Sequence, residues 1–217
     1  MKEKLDLFCK ENPFDFSKEQ LNRLKYELEH PRIGLICDEM VDYTLWIKGL
    51  KSRQEYFADY VARIFTQDKY PHLLEVGCGH YARLSSLLVS KGYKMSAMDP
   101  KLENIKDSIE GIQDFFNYEK TSILKYDAII AQEPCEATEH IIRLCTKEKK
   151  DFIISLCASP HRFINGEMPG SADGWYDYLQ AIDPKHTILI YPNMVPGYNT
   201  PVMIGMFGKK GNDSDDN

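Results

Sequence analysis

The sequence lacks a basic surplus: 27 lysines and arginines face 33 aspartates and glutamates, for a formal charge of −6. A domain that neutralises many nucleic-acid phosphates usually carries the opposite balance, so extended nucleic acid is not the expected partner and a small molecule comes first. Paired cysteines are also missing. Cys9, Cys37, Cys78, Cys135, Cys145 and Cys157 are scattered with no C-x-x-C spacing, which argues against a disulfide framework and for a reduced, cytoplasmic setting. No apolar run approaches the ~20 residues of a membrane span. The opening MKEKLDLFCKENPFDF interrupts each apolar step with charge or proline, so neither a membrane segment nor a signal-peptide core is expected. There is no internal repeat. With 217 residues, 43% hydrophobic and 28% charged, the chain suits one soluble domain with appendages.

What is present changes texture at Pro71. Before it, the pattern is helical. Residues 17–30 carry Leu21, Leu24 and Leu28 at helical spacing, with Ser17 and Gln20 as a capping box and Pro31 as a stop. Over 33–65, apolar and aromatic residues keep the same period, and Gly49 and Ser52 suggest a break between two helices. These aromatics are expected to be core, so 1–70 reads as an N-terminal helical cap.

After Pro71, short apolar runs alternate with helical patterns. Strands are expected at 72–79, 94–99, 126–132, 151–158, 186–191 and 201–207, with a weaker one at 112–116; helices are expected at 81–90, 102–109, 136–145 and 172–181. Such alternation implies an α/β, doubly wound, mainly parallel seven-stranded sheet over 71–208. Only residues 192–200 separate the last two strands, too few for a parallel crossover, so these strands should form an antiparallel edge hairpin. The tail at 209–217 is polar and expected to be disordered.

The strongest constellation is Glu75-Val76-Gly77-Cys78-Gly79, followed by Asp99 at the end of the next strand. Glycines at a strand-to-helix turn let backbone amides approach a ligand, and an acid at the tip of the adjacent strand can accept from ribose hydroxyls. Gly77-x-Gly79-x-x-Ala82 also fits a dinucleotide fingerprint. Glu75 separates the two: a carboxylate there repels a pyrophosphate but suits the ammonium and sulfonium of S-adenosylmethionine. On these residues, and on the terminal hairpin, the chain resembles the class I S-adenosylmethionine-dependent methyltransferases, with a Rossmann-like fold. The resemblance implies cofactor contacts from Glu75, Gly77, Cys78, Gly79, Asp99 and Pro100, and an adenine contact after the third strand, where Asp114, Phe115, Phe116 and Asn117 are candidates. It places acceptor-facing residues after the fourth strand, where Gln132-Glu133-Pro134-Cys135-Glu136 departs from the N-P-P-Y pattern of base-methylating relatives.

Glu133 is the general-base candidate by position, or else an acid complementing the dipole of the helix that follows. Gln132, Pro134 and His161 are read as substrate-side residues; His80 and His161 are expected to support rather than catalyse. The glycine-rich segment 165–175 reads as a mobile loop near the crevice. Strand topology brings Cys78, Cys135 and Cys157 to one rim, but alternate residues of a strand point to opposite faces, so independent thiols and no bound metal are expected. The function this implies is methyl transfer from S-adenosylmethionine to a small acceptor. The alternatives are a non-catalytic S-adenosylmethionine-binding module and an NAD-dependent oxidoreductase.

Overall fold

In a computed structural model, residues 2–12, 16, 18–30 and 38–208 are described. The expected Ser17 cap, the start of the helical stretch at 33 and the tail at 209–217 lie outside them. Strands β1 (His72–Val76), β2 (Lys94–Met98), β3 (Ile109–Ile112), β4 (Ala128–Gln132), β5 (Asp151–Ser155), β6 (Thr187–Ile190) and β7 (Val202–Gly205) form one sheet in the order β3-β2-β1-β4-β5-β7-β6. The first five pair in parallel, whereas β7 runs antiparallel to both β5 and β6. This is the expected Rossmann-like, doubly wound sheet with its antiparallel edge.

Period-two alternation sorts the side chains of each strand to two faces. Leu73, Met95, Ala97, Ala128 and Ile130 join Phe57, Val61, Leu84 and Leu88, which come from helices α4 (Arg53–Ile64) and α5 (Arg83–Val89). On the other face Leu74, Val76, Ile129, Phe152 and Ile154 meet Ile141, Leu144, Trp175 and Leu179 from α6 (Ala137–Glu148) and α7 (Ala172–Ala181). Each fully buried apolar side chain of this size contributes about 1.5–3 kcal/mol, so both layers hold the sheet.

Ahead of α4 lie α1 (Lys2–Glu11), α2 (Lys18–Glu29) and α3 (Asp38–Ile47). Gly49, at φ +65°, supplies the break between α3 and α4, and Ser52 and Glu55 cap α4 reciprocally. Helix α1 is not evident in the sequence because charge interrupts its apolar face. It is held instead by tertiary packing: Phe8 is buried among Phe16, Tyr43 and Trp46.

Two expectations need correction. Residues 102–108 form turns and bends, not a helix, and Ile109 already belongs to β3. Leu102 N–H bonds back to Asp99 O, Asn104 is left-handed at φ 42°, and Leu102 and Ile105 anchor the loop beside Gly111. Apolar residues spaced as on a helix here serve as separate anchors. Strand β3 also comes earlier than 112–116. Pairing with Met95–Met98 fixes its register, and Phe116 leaves the sheet for the α6/α7 core.

Candidate functional site

The C-terminal ends of β1, β2, β4 and β5 open side by side, which in such sheets is the ligand crevice. At the first of them the chain turns through Gly77 and Gly79, at φ +71° and +65°, conformations that favour glycine. The two glycines differ. A Cβ on Gly77 would lie 2.9 Å from Pro134 Cα, so this glycine lets the turn close onto the loop after β4. A Cβ on Gly79 would meet nothing within 4 Å, so this glycine faces open space. Asp99 braces the open turn from the tip of β2: its Oδ2 accepts from Gly79 N–H at 2.9 Å and its Oδ1 from Lys101 N–H at 2.8 Å.

Glu75 is buried and points to the face covered by α5, where Ser85 N–H and Oγ–H donate to its Oε2 at 2.8 and 2.5 Å. The helix has Ala82 at its N-cap with no side-chain cap bond, so Glu75 does that work from the strand. Burial pushes its carboxyl up from 4.5 to about 7; the Ser85 bonds oppose the rise and the Asp99 charge adds to it. The Cys78 thiol is raised by burial and then by these two acids.

The loop after β4 is tightly constrained. Glu133 and Cys135, neither a glycine, both adopt φ 53° on either side of Pro134. Glu133, the expected general base, is bound: Arg53 Nη1 donates to its Oε1 at 2.6 Å, while Arg53 Nε donates to buried Asp42 Oδ2 at 3.2 Å. The Arg53–Glu133 ion pair ties the loop after β4 to the first turn of α4. Gln132 Oε1 is buried without a hydrogen-bond partner.

The expectation of independent thiols is also corrected. Cys157 Sγ lies 3.9 Å from Cys135 Sγ, and His161 joins them, with the ligand atoms of all three within 4.8 Å of one another. Cys78 is not in this group. The pairing works because Cys135 sits one step past Pro134 in a left-handed turn, outside strand alternation. The hydrogen bond to Cys135, and then burial, raise the Cys157 thiol well above its ordinary range; burial lowers His161, which sits edge-on to Trp175.

Of the adenine candidates, Phe116 is buried and Phe115 is 74% exposed beside Asp114, whose Oδ1 accepts from Phe115 N–H at 2.7 Å. Asn117 Oδ1 accepts from Glu119 N–H, and Pro100 O accepts from Gln113. His80 lies 3.8 Å from Glu103. At the start of the expected mobile segment 165–175, Glu167 O accepts from Phe163 N–H and Gly166 O from Arg162 Nη1, both donors lying just before it. Arg53, Asp42 and Arg83 carry no local sequence signal of a site. Arg83, which burial pushes down to about 10, lines a cavity of about 50 Å³ with Phe8, Asp42, Trp46 and Glu55, between the N-terminal helices and α5.

Among the described residues, no helix is long and apolar enough to cross a membrane. No family model matches the chain, and no curated protein matches its sequence. Solved structures resemble it in outline. A 1,6-didemethyltoxoflavin-N1-methyltransferase from Burkholderia thailandensis, with bound 1,6-didemethyltoxoflavin and S-adenosylhomocysteine, is 11% identical over 80% of this chain and 92% of that one, with a TM-score of 0.46. The glycopeptide N-methyltransferase MtfA, in complex with S-adenosylhomocysteine, is 12% identical over 87% and 96%, with a TM-score of 0.47. A TehB-like S-adenosylmethionine-dependent methyltransferase from Corynebacterium glutamicum is 11% identical over 75% and 92%, with a TM-score of 0.44. The assignment of a Rossmann-like, doubly wound fold rests on this chain's own strand order and register.

Proposed function

We propose that the chain transfers a methyl group from S-adenosylmethionine to a small acceptor bound beside β4 and β5. The observation that carries this reading is the pair of glycines: Gly77 is closed by Pro134 while Gly79 stands open, its amide held by Asp99. That arrangement suits a ligand laid along the turn with its ribose at Asp99, whose oxygens keep lone pairs for hydroxyl donors. The bound cofactor would supply an electrophilic methyl group on a sulfonium. Gly79 would admit its backbone-hugging portion, Asp99 would orient the ribose, and buried Glu75 would bias the strand end toward positive charge.

Glu75 also speaks against the dinucleotide alternative, for a reason beyond repulsion. Its carboxylate already occupies Ser85 N–H in the first turn of α5, the helix end that a pyrophosphate would need. A second reading, binding without transfer, is favoured by one observation: Glu133 is committed to Arg53. In-line methyl transfer to an already nucleophilic acceptor needs alignment more than a base, so transfer remains the preferred reading. Calorimetry with S-adenosylmethionine, S-adenosylhomocysteine and NAD tests the site, with the first two expected to bind and NAD not. Incubation of labelled S-adenosylmethionine with small-molecule extract tests turnover; binding with no labelled product would establish the second reading.

A further inference from the structure

Cys135, Cys157 and His161 come from two separate loops, after β4 and after β5, yet their ligand atoms gather within 4.8 Å. Two thiolates on one tetrahedral zinc ion stand roughly 3.8 Å apart, given Zn–S bonds of about 2.3 Å. The two sulfurs here are 3.9 Å apart. Each member is also held in place. Cys135 is set by its left-handed backbone, the Cys157 carbonyl accepts from Tyr176 O–H at 2.8 Å, and the His161 ring meets Trp175 edge-on at 5.5 Å. Two sulfurs and one imidazole form a donor set for borderline-soft cations rather than for magnesium or calcium.

We infer that Cys135, Cys157 and His161 form a three-ligand site for a zinc-class divalent cation at the β4–β5 end of the crevice. Three protein ligands leave a tetrahedral ion one position, and Cys135 is exposed, so that position opens outward to a water or a donor atom of a small molecule. Binding displaces one proton from each thiol, and the cation takes the two thiolates and the imidazole lone pair. The inference does not depend on the proposed methyl transfer, because the site lacks Gly79 and Asp99 and is tested with no cofactor present.

The probe is cobalt(II), titrated into the reduced, metal-free full chain. One equivalent is expected to bind, with a thiolate-to-cobalt charge-transfer band that zinc(II) abolishes by displacement. Cys135→Ser, at an exposed position, should cut the band by about half, as one thiolate of two is lost. His161→Ala should weaken cobalt affinity at least about tenfold while the band persists at saturation. Cys9→Ser, remote from the site, should behave as the parent. Absence of the band at excess cobalt overturns the inference, as does a band of parental intensity in Cys135→Ser. A reduced chain that binds no cobalt but forms a Cys135–Cys157 disulfide in air would overturn it in favour of a redox pair.

Discussion

On the glycine-turn side of the crevice, polar groups are held by backbone amides close by: Glu75 by Ser85, Asp99 by Gly79 and Lys101. On the β4–β5 side they are held by side chains from other elements, Glu133 by Arg53 at the start of α4 and Cys135 by Cys157 after β5. The first half could form from one strand-turn-helix-strand unit. The second exists only once α4, β4 and β5 have docked. Damage to the first should therefore appear as lost ligand affinity, and damage to the second as lost stability.

The largest expected effect tests the docked half. Arg53→Ala removes the guanidinium that bridges buried Asp42 and Glu133, and removing one partner of such a buried pair costs about 3–5 kcal/mol. Urea denaturation of the parent, Arg53→Ala, Glu133→Ala and the double variant should show coupling between the two positions; simple additivity would mean that the ion pair holds nothing together. Next come the two glycines, where the halves touch. Gly77→Ala combines a left-handed backbone with a clash against Pro134 and should cost roughly 2–4 kcal/mol. Gly79→Ala meets no clash and should cost about 1–2 kcal/mol. Equal losses in the two variants would remove the distinction drawn here between a closed glycine and an open one.

Asp99→Ala should weaken S-adenosylmethionine by about 1.5–3 kcal/mol, the range for hydrogen bonds to a charged group, with a smaller change in melting temperature. A variant that loses stability but keeps its affinity would recast Asp99 as a brace alone. The smallest effect is a pH dependence. With its folded pKa raised from 4.5 to about 7, Glu75 keeps a proton that the unfolded chain has released, so its contribution to stability is complete below 4.5 and lost as pH rises to about 7. Cofactor affinity should move the other way. A cationic ligand favours the carboxylate and expels the proton, so affinity rises with pH up to about 7 and then levels. Glu75→Gln should flatten both profiles, and slopes that persist in this variant would assign them to another group.

The difference between the halves also explains what could be read from the sequence. The sheet, its antiparallel edge, Gly77, Gly79 and Asp99 were legible because period-two runs, glycine turns and a strand-tip acid are local patterns. Helix α7 matched its expected range for the same reason. Arg53 was not legible as a site residue, because it lies 80 positions from Glu133 and in sequence is only the first residue after the Ser52 cap. Cys135 misled through strand alternation, which ends at Gln132, before the two left-handed residues turn the chain. Leu102 and Ile105 misled through spacing: a loop can bury apolar residues three apart as readily as a helix can.

Asp151 has a further consequence. It is the first residue of β5, and its two oxygens accept from Tyr70 O–H at 2.7 Å and from Phe207 N–H at 2.6 Å. Tyr70 precedes the first strand and Phe207 follows the last, so one carboxylate at the start of β5 fastens both ends of the strand-forming segment. Fraying from either end meets the same clasp, and opening that clasp from one side leaves its other bond to resist. Hydrogen exchange at the amides of β1 and β7 should then rise together, not one before the other, when Asp151 is replaced by alanine.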